Sequence, residues 1–155
     1  MRGGFSLVEI LIVLTIMGIL ATMGIGYMIA ARPEAQLQRS ELALTSFLNR
    51  ARNLALSEET SVRVVFNEGT SQYWIEQLDR ATLNWNTVSE VASLPEGVTI
   101  QTAGVTFAGD TVQFTVRGSL MAGGSITIVN SAGSTSILSG NVATGRFPVT
   151  GGSLR

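Results

Sequence analysis

The sequence contains no cysteine and no histidine, and all ten of its basic residues are arginine, so lysine is missing as well. Without Cys and His the chain can build no zinc centre of the usual ligand types, no c-type haem, no disulfide and no Ser-His-Asp triad. Without Lys it has no P-loop lysine, no Schiff-base lysine and no kinase-type phosphate lysine. Most metalloenzyme, hydrolase and nucleotide-dependent classes end there, and neither a metal nor a cofactor is expected. A lipid anchor through Cys is excluded too. Charge is scarce: ten Arg against eleven acids give a formal net charge of −1. That balance argues against a protein that coats polyanions by bulk charge, and leaves room for a local basic patch. Absence of Cys fits an exported chain and a cytosolic one equally.

What is present is concentrated at the amino terminus. The chain has 155 residues, room for one globular domain plus an anchor. Ile10 to Ala31 is a run of 22 residues without a charge, and Glu9 is the only charge from Phe5 to Ala31. As a helix, 22 residues cover roughly 33 Å, against a hydrocarbon core of about 30 Å. A cleavable secretory signal has an apolar region of about 7–15 residues and a small-x-small cleavage site. This run is longer and ends in Arg32-Pro33. A single-pass helix is therefore expected, and Arg2 on its short side puts the amino terminus in the cytoplasm. Arg32 on the far flank works against that bias.

The residues before the run are Gly3-Gly4-Phe5-Ser6-Leu7-Val8-Glu9. Two readings of Glu9 are open and compatible. Ser6-x-x-Glu9 is a capping box, in which the two side chains satisfy each other's backbone amides. The short basic leader, the Gly-Phe junction and the lone carboxylate also resemble the class III signal of type IV pilins and pseudopilins. That resemblance implies cleavage by a prepilin peptidase between Gly4 and Phe5, followed by N-methylation of Phe5. It also implies a role for Glu9 in assembly, paired with the amino terminus of an adjacent subunit. A carboxylate in the membrane costs on the order of 2.5–3.5 kcal/mol, so it needs such a partner.

After Pro33 the helical period continues, with Leu37, Leu44, Leu48, Ala51 and Ala55 on one stripe and Arg39, Arg50 and Arg52 off it. The spacing predicts one helix from Phe5 to Leu56, about 78 Å long. Pro33 removes a hydrogen bond and is expected to bend it. Gly18, Gly24 and Gly26 are candidate points of flexibility, where related filaments melt locally on polymerisation; close packing of small residues explains them as well. Major pilins commonly carry a proline inside the apolar segment, and this chain has none before Pro33.

From Ser57 onward short strands are expected at Ser61–Asn67, Gln72–Leu78, Val98–Thr102, Val112–Val116, Ser125–Val129, Ser134–Ser139 and Asn141–Phe147. Glu68-Gly69-Thr70-Ser71 and Asn130-Ser131-Ala132-Gly133 read as hairpin turns. Thr82 to Leu94 has no clear period and reads as a loop or insertion. The fold class is α+β: a long amino-terminal helix, its inner half transmembrane and its outer half amphipathic, packed on an antiparallel sheet domain. The expected divisions are 1–4 leader, 5–31 transmembrane and filament-core helix, 32–56 amphipathic continuation and 57–155 β domain.

A second pattern lies in the globular part: Arg52-Asn53-Leu54-Ala55-Leu56-Ser57 entering Ser61-Val62-Arg63-Val64, then Phe114-Thr115-Val116-Arg117-Gly118-Ser119, Gly123-Gly124-Ser125-Ile126-Thr127-Ile128 and Thr144-Gly145-Arg146. It resembles the FimT/GspH-type minor pilins and minor pseudopilins. The resemblance implies a structural subunit near the tip of a type IV pilus or competence filament, or else of a type II secretion pseudopilus. Its implied partners are other pilins, the prepilin peptidase, an inner-membrane assembly platform and membrane lipid before assembly, with the carboxy-terminal domain outside. DNA is a further candidate partner. Arg117, Arg146 and Arg155 lie in an acid-free stretch from Thr111 onward, and DNA-binding relatives carry Gly-Arg-x-Arg where this chain has Gly145-Arg146-Phe147-Pro148. An enzyme would have to rest on carboxylates such as Asp79 and Asp110, and no spacing supports one.

Overall fold

The structure, a computed structural model, describes residues 6–150, with the side chains of 22–31 and 149–150 outside the description. Helix α1 spans Leu7–Ser57, within two residues of the expected bounds. It opens on the Ser6 carbonyl, which accepts from Glu9 N at 3.0 Å and Ile10 N at 3.3 Å. Among the described residues, the Ser6 hydroxyl and the Glu9 carboxylate form no capping box. At the other end Ser57 Oγ donates to Leu54 O at 3.2 Å. Glu59 then takes a left-handed φ of 48°, a conformation that stops helices. Pro33 lies inside α1, and the chain divides there into two compact units, Met1–Arg32 and Pro33–Arg155. Among the described residues no helix is long and apolar enough to cross a membrane; the described side chains of the apolar run end at Ala21.

In the second unit the predicted stripe is the buried face of α1: Leu37, Leu44, Leu48, Ala51 and Ala55 are all buried. The gap between Leu37 and Leu44 is filled by polar residues, Ser40 and Glu41, also buried. Ser40 Oγ donates to Gln36 O at 2.8 Å, while Glu41 Oε1 has no partner among the described residues.

The strands in chain order are β1 (Val62–Asn67), β2 (Gln72–Leu78), β3 (Trp85–Thr87), β4 (Ala92–Ser93), β5 (Val98–Val105), β6 (Thr111–Phe114), β7 (Ser125–Asn130), β8 (Thr135–Ser139) and β9 (Val149–Thr150). They form two antiparallel sheets. One has the order β3-β2-β1-β6 with β4 also on β2, and the other β5-β7-β8-β9. Alternation places Val62, Val64 and Phe66, Tyr73 and Ile75, and Ile126 and Ile128 in the core, as a half-buried strand requires.

Three expectations change. Val116 is 45% exposed, because β6 ends at Phe114 and a turn closes with Gly118 N on Thr115 O at 2.8 Å. Asn141–Phe147 is a turn, not a strand: Asn141 Oδ1 accepts from Thr144 N at 3.0 Å, Asn141 O accepts from Gly145 N at 2.8 Å, and β9 comes later. An Asn side chain that bonds its own backbone competes with a ladder. The Thr82–Leu94 stretch contains β3 and β4, and Trp85 lies over the Arg63 guanidinium, 4.3 Å from the ring centroid.

The β1–β2 turn clasps the second sheet. Ser71 Oγ accepts from Ile100 N at 3.1 Å, and the Glu68 carboxylate accepts from Val105 N at 2.9 Å and Ala103 N at 2.8 Å. There β5 shifts register against β7 between Ile100 and Val105. The amides of Val105 and then Ala103 hold the Glu68 carboxyl below its ordinary range. A depressed carboxylate stabilises the fold above its unfolded pKa, and that contribution fades as pH falls through the folded value. The Ala103 and Val105 amide resonances should therefore titrate together with a midpoint below the usual glutamate value of about 4.3, and the transition should vanish in Glu68→Gln. Amides that stay still through that range would show that the clasp does not depend on charge.

Candidate functional site

Two places carry the candidate residues, one in each unit. In the first unit Glu9 sits in the opening turn of α1, in a shallow depression shared with Ile10, Val13 and Leu14. Leu7, Val8, Leu11, Leu14, Met17 and Leu20 are each at least 60% exposed. Gly18 has nothing within 4 Å of where a Cβ would stand. Gly4 and Phe5 lie outside the described residues, and Gly24 and Gly26 fall in 22–31, outside the described side chains.

In the second unit the separated motif segments meet at one corner. Arg52, late in α1, donates through Nε to Gly118 O at 3.0 Å and to Thr144 O at 3.0 Å. One side chain thus ties together two turns that are far apart in sequence. Leu120 N donates to Val142 O at 3.0 Å and reinforces the tie. The glycines in these turns are there for space. At Gly118, φ is +72° and a Cβ would stand 3.1 Å from the Leu56 side chain. At Gly145, φ is +63° and a Cβ would overlap the Gly118 carbonyl oxygen. The tie brings the backbone of Arg117, beside Gly118, close to that of Arg146, beside Gly145. Both side chains are exposed. Arg155 lies outside the described residues. Phe147 is buried at 5% exposure and packs 6.2 Å from Phe107, so its ring is not free to stack on an unpaired base.

Sequence reasoning placed Arg117 and Arg146 and missed Arg52 as the residue that joins them. Its presence in the same pattern as Gly118 and Thr144-Gly145 was the signal. The carboxylates considered for acid–base work are not brought together into a pair by any observed contact. Asp79 accepts from Ala81 N at 2.8 Å and from the Thr82 hydroxyl at 2.8 Å, bonds that hold it below its ordinary range and close a local turn. Asp110 lies in a short 3-10 turn with φ 52°. Glu76 is paired with Arg63 at 2.7 Å and accepts from Trp74 Nε1 at 2.9 Å. Among the described residues no group of three or more His, Cys, Asp or Glu is placed to hold a metal ion.

Residues 42–144 match the family described as type II transport protein GspH, and residues 1–25 match the prokaryotic N-terminal methylation motif. No curated protein sequence matches the chain. Among solved structures, the fold is similar to the minor pseudopilin EpsH of the type 2 secretion system of Vibrio cholerae. The TM-score is 0.59 at 13% identity, over 75% of this chain and 98% of that one. It is similar also to the type IV minor pilin FimU of Pseudomonas aeruginosa, with a TM-score of 0.61 at 16% identity, over 76% of this chain and 90% of that one. Identities this low carry the fold alone; the family rests on the match that spans most of the chain, with the amino-terminal motif beside it. The chain belongs to the type II transport protein GspH family, and it is a minor pilin or pseudopilin of a type IV-like filament, not an enzyme.

Proposed function

We propose that this protein is a minor subunit of a secretion pseudopilus. It is cut after Gly4, N-methylated at Phe5, held in the inner membrane by residues 5–31 with its β domain outside, and moved from there into the filament near its tip. The observation that carries this reading is the apolar start of α1, whose side chains point to solvent on every side. Each such side chain gains roughly 1.5–3 kcal/mol when fully buried. A surface of that size belongs in lipid or against other helices. The same helix fits both in turn, which is what a subunit waiting in the membrane on an assembly platform needs.

The family's description favours the secretion branch. A pilus or competence filament is the second reading, supported by the likeness to FimU. DNA uptake within that branch draws on Arg117 and Arg146 being brought to one corner. Against it stand Pro148 in place of a second arginine and the burial of Phe147. Deleting the gene in its native host and restoring it in a control strain separates the branches. We expect export of secreted proteins to fall sharply and to return on complementation, with surface motility and transformation unchanged. Normal export with lost motility or transformation would move the protein to the pilus branch.

A further inference from the structure

A cavity of about 650 Å³ opens beside the corner, lined by Asn49, Arg52, Asn53, Arg146, Phe147 and Pro148. Its polar side chains are two guanidiniums and two carboxamides, with no acid among them. Arg52 is already oriented, because its Nε is spent on Gly118 O and Thr144 O. Its Nη donors, like Arg146 and the amides of Asn49 and Asn53, have no side-chain partner among the described residues. Acids are sparse in the surrounding sequence. No acid occurs from Thr111 onward, and the nearest acids in sequence to this stretch of α1 are Glu41 and Glu58, of which Glu41 is buried in the core.

A fixed guanidinium fork, a second cation and two amides around one concavity are the donor set that a planar oxyanion needs. Fixing Arg52 in advance lowers the ordering cost of binding. We infer that this cavity is an oxyanion site, and that its occupant is a carboxylate side chain of a neighbouring filament subunit. The alternative occupant, a DNA phosphodiester, draws its affinity from many phosphate contacts at once. Here two cations face a single concavity walled by Phe147 and Pro148, in a chain of net charge −1. That arrangement suits one carboxylate better than a polyanion. The occupant rests on the filament reading; the oxyanion site itself does not.

The test has two arms. The full chain in detergent micelles is titrated with glutarate, with inorganic phosphate and with a short DNA duplex, while the Asn49 and Asn53 side-chain amide resonances are followed. We expect saturable shifts with glutarate that weaken about tenfold or more in Arg146→Gln, with the core methyl resonances unchanged. In the native host, Arg146→Glu should be missing from sheared filaments while Arg80→Glu, at a turn away from the cavity, is incorporated like the wild type. No saturation with glutarate overturns the site as a carboxylate site, and saturation with phosphate or duplex alone reassigns it to phosphate esters. Normal incorporation of Arg146→Glu overturns the neighbouring-subunit occupant. If the wild type itself is absent from filaments, it is the filament reading that fails and takes that occupant with it, while the titration still decides the oxyanion site.

Discussion

Replacing Glu9 with alanine should leave the protein processed and membrane-bound but remove it from filaments. On the proposed function the variant still presents Gly4-Phe5 to a prepilin peptidase, so its mature chain should begin at Phe5. What it loses is the one charge in the apolar run. In lipid or in a packed core that carboxylate is costly unless an opposite charge meets it. In the proposed filament the charge available to it is the new amine of an adjacent subunit. A pair at about 4 Å in an effective dielectric of about 20 is worth on the order of 4 kcal/mol. Loss of half to all of it lowers incorporation by roughly thirty- to a thousandfold. Intact mass of the membrane-extracted protein and the subunit content of sheared filaments together check this. Normal incorporation of a correctly cut Glu9→Ala chain would remove Glu9 from the assembly step.

The second large effect belongs to the corner. Gly145→Ala puts a methyl group into the space held by the Gly118 carbonyl oxygen, at a φ of +63°. The left-handed conformation costs a non-glycine residue roughly 1–2 kcal/mol. Forcing two backbone segments apart adds about 1–3 kcal/mol. Together they should lower the melting temperature by roughly 10 °C, and the hold of Arg52 on Thr144 should loosen with it. Gly133→Ala is the matched control: its φ is +85°, but nothing lies within 4 Å of the added Cβ, so only the conformational cost applies. Melting curves of the full chain in detergent decide the matter. Equal melting of the two variants would mean that the close approach of the two turns is not what needs glycine.

Elements set by periodicity were readable from the residues alone. The five apolar positions of the α1 stripe are the five found buried, and β2 has the expected bounds. What could not be read depends on groups without a period. Ser40 and Glu41 complete the buried face with polar side chains, which no apolar pattern marks. Asn141–Phe147 reads as a strand by composition, and the Asn141 carboxamide and carbonyl closing on Thr144 N and Gly145 N make it a turn. The Glu68 clasp and the Arg52 tie join residues 35 or more apart through backbone atoms, and backbone atoms leave no trace in composition. The motif glycines were visible as a pattern long before their purpose was. Gly118 and Gly145 make sense only when the two turns are seen in contact.

The clasp on β5 also bears on how the protein avoids the wrong polymer. A strand at the margin of a sheet offers a row of open amides to any passing chain, and native proteins blunt such margins. On β5 the amides of Ile100, Ala103 and Val105 are already taken by Ser71 and Glu68. A subunit that joins others in order through a helix, as proposed, cannot also be free to add strands at random. By filling those donors from its own hairpin, the domain closes this route to β-aggregation and leaves the helix as the ordered way into a polymer.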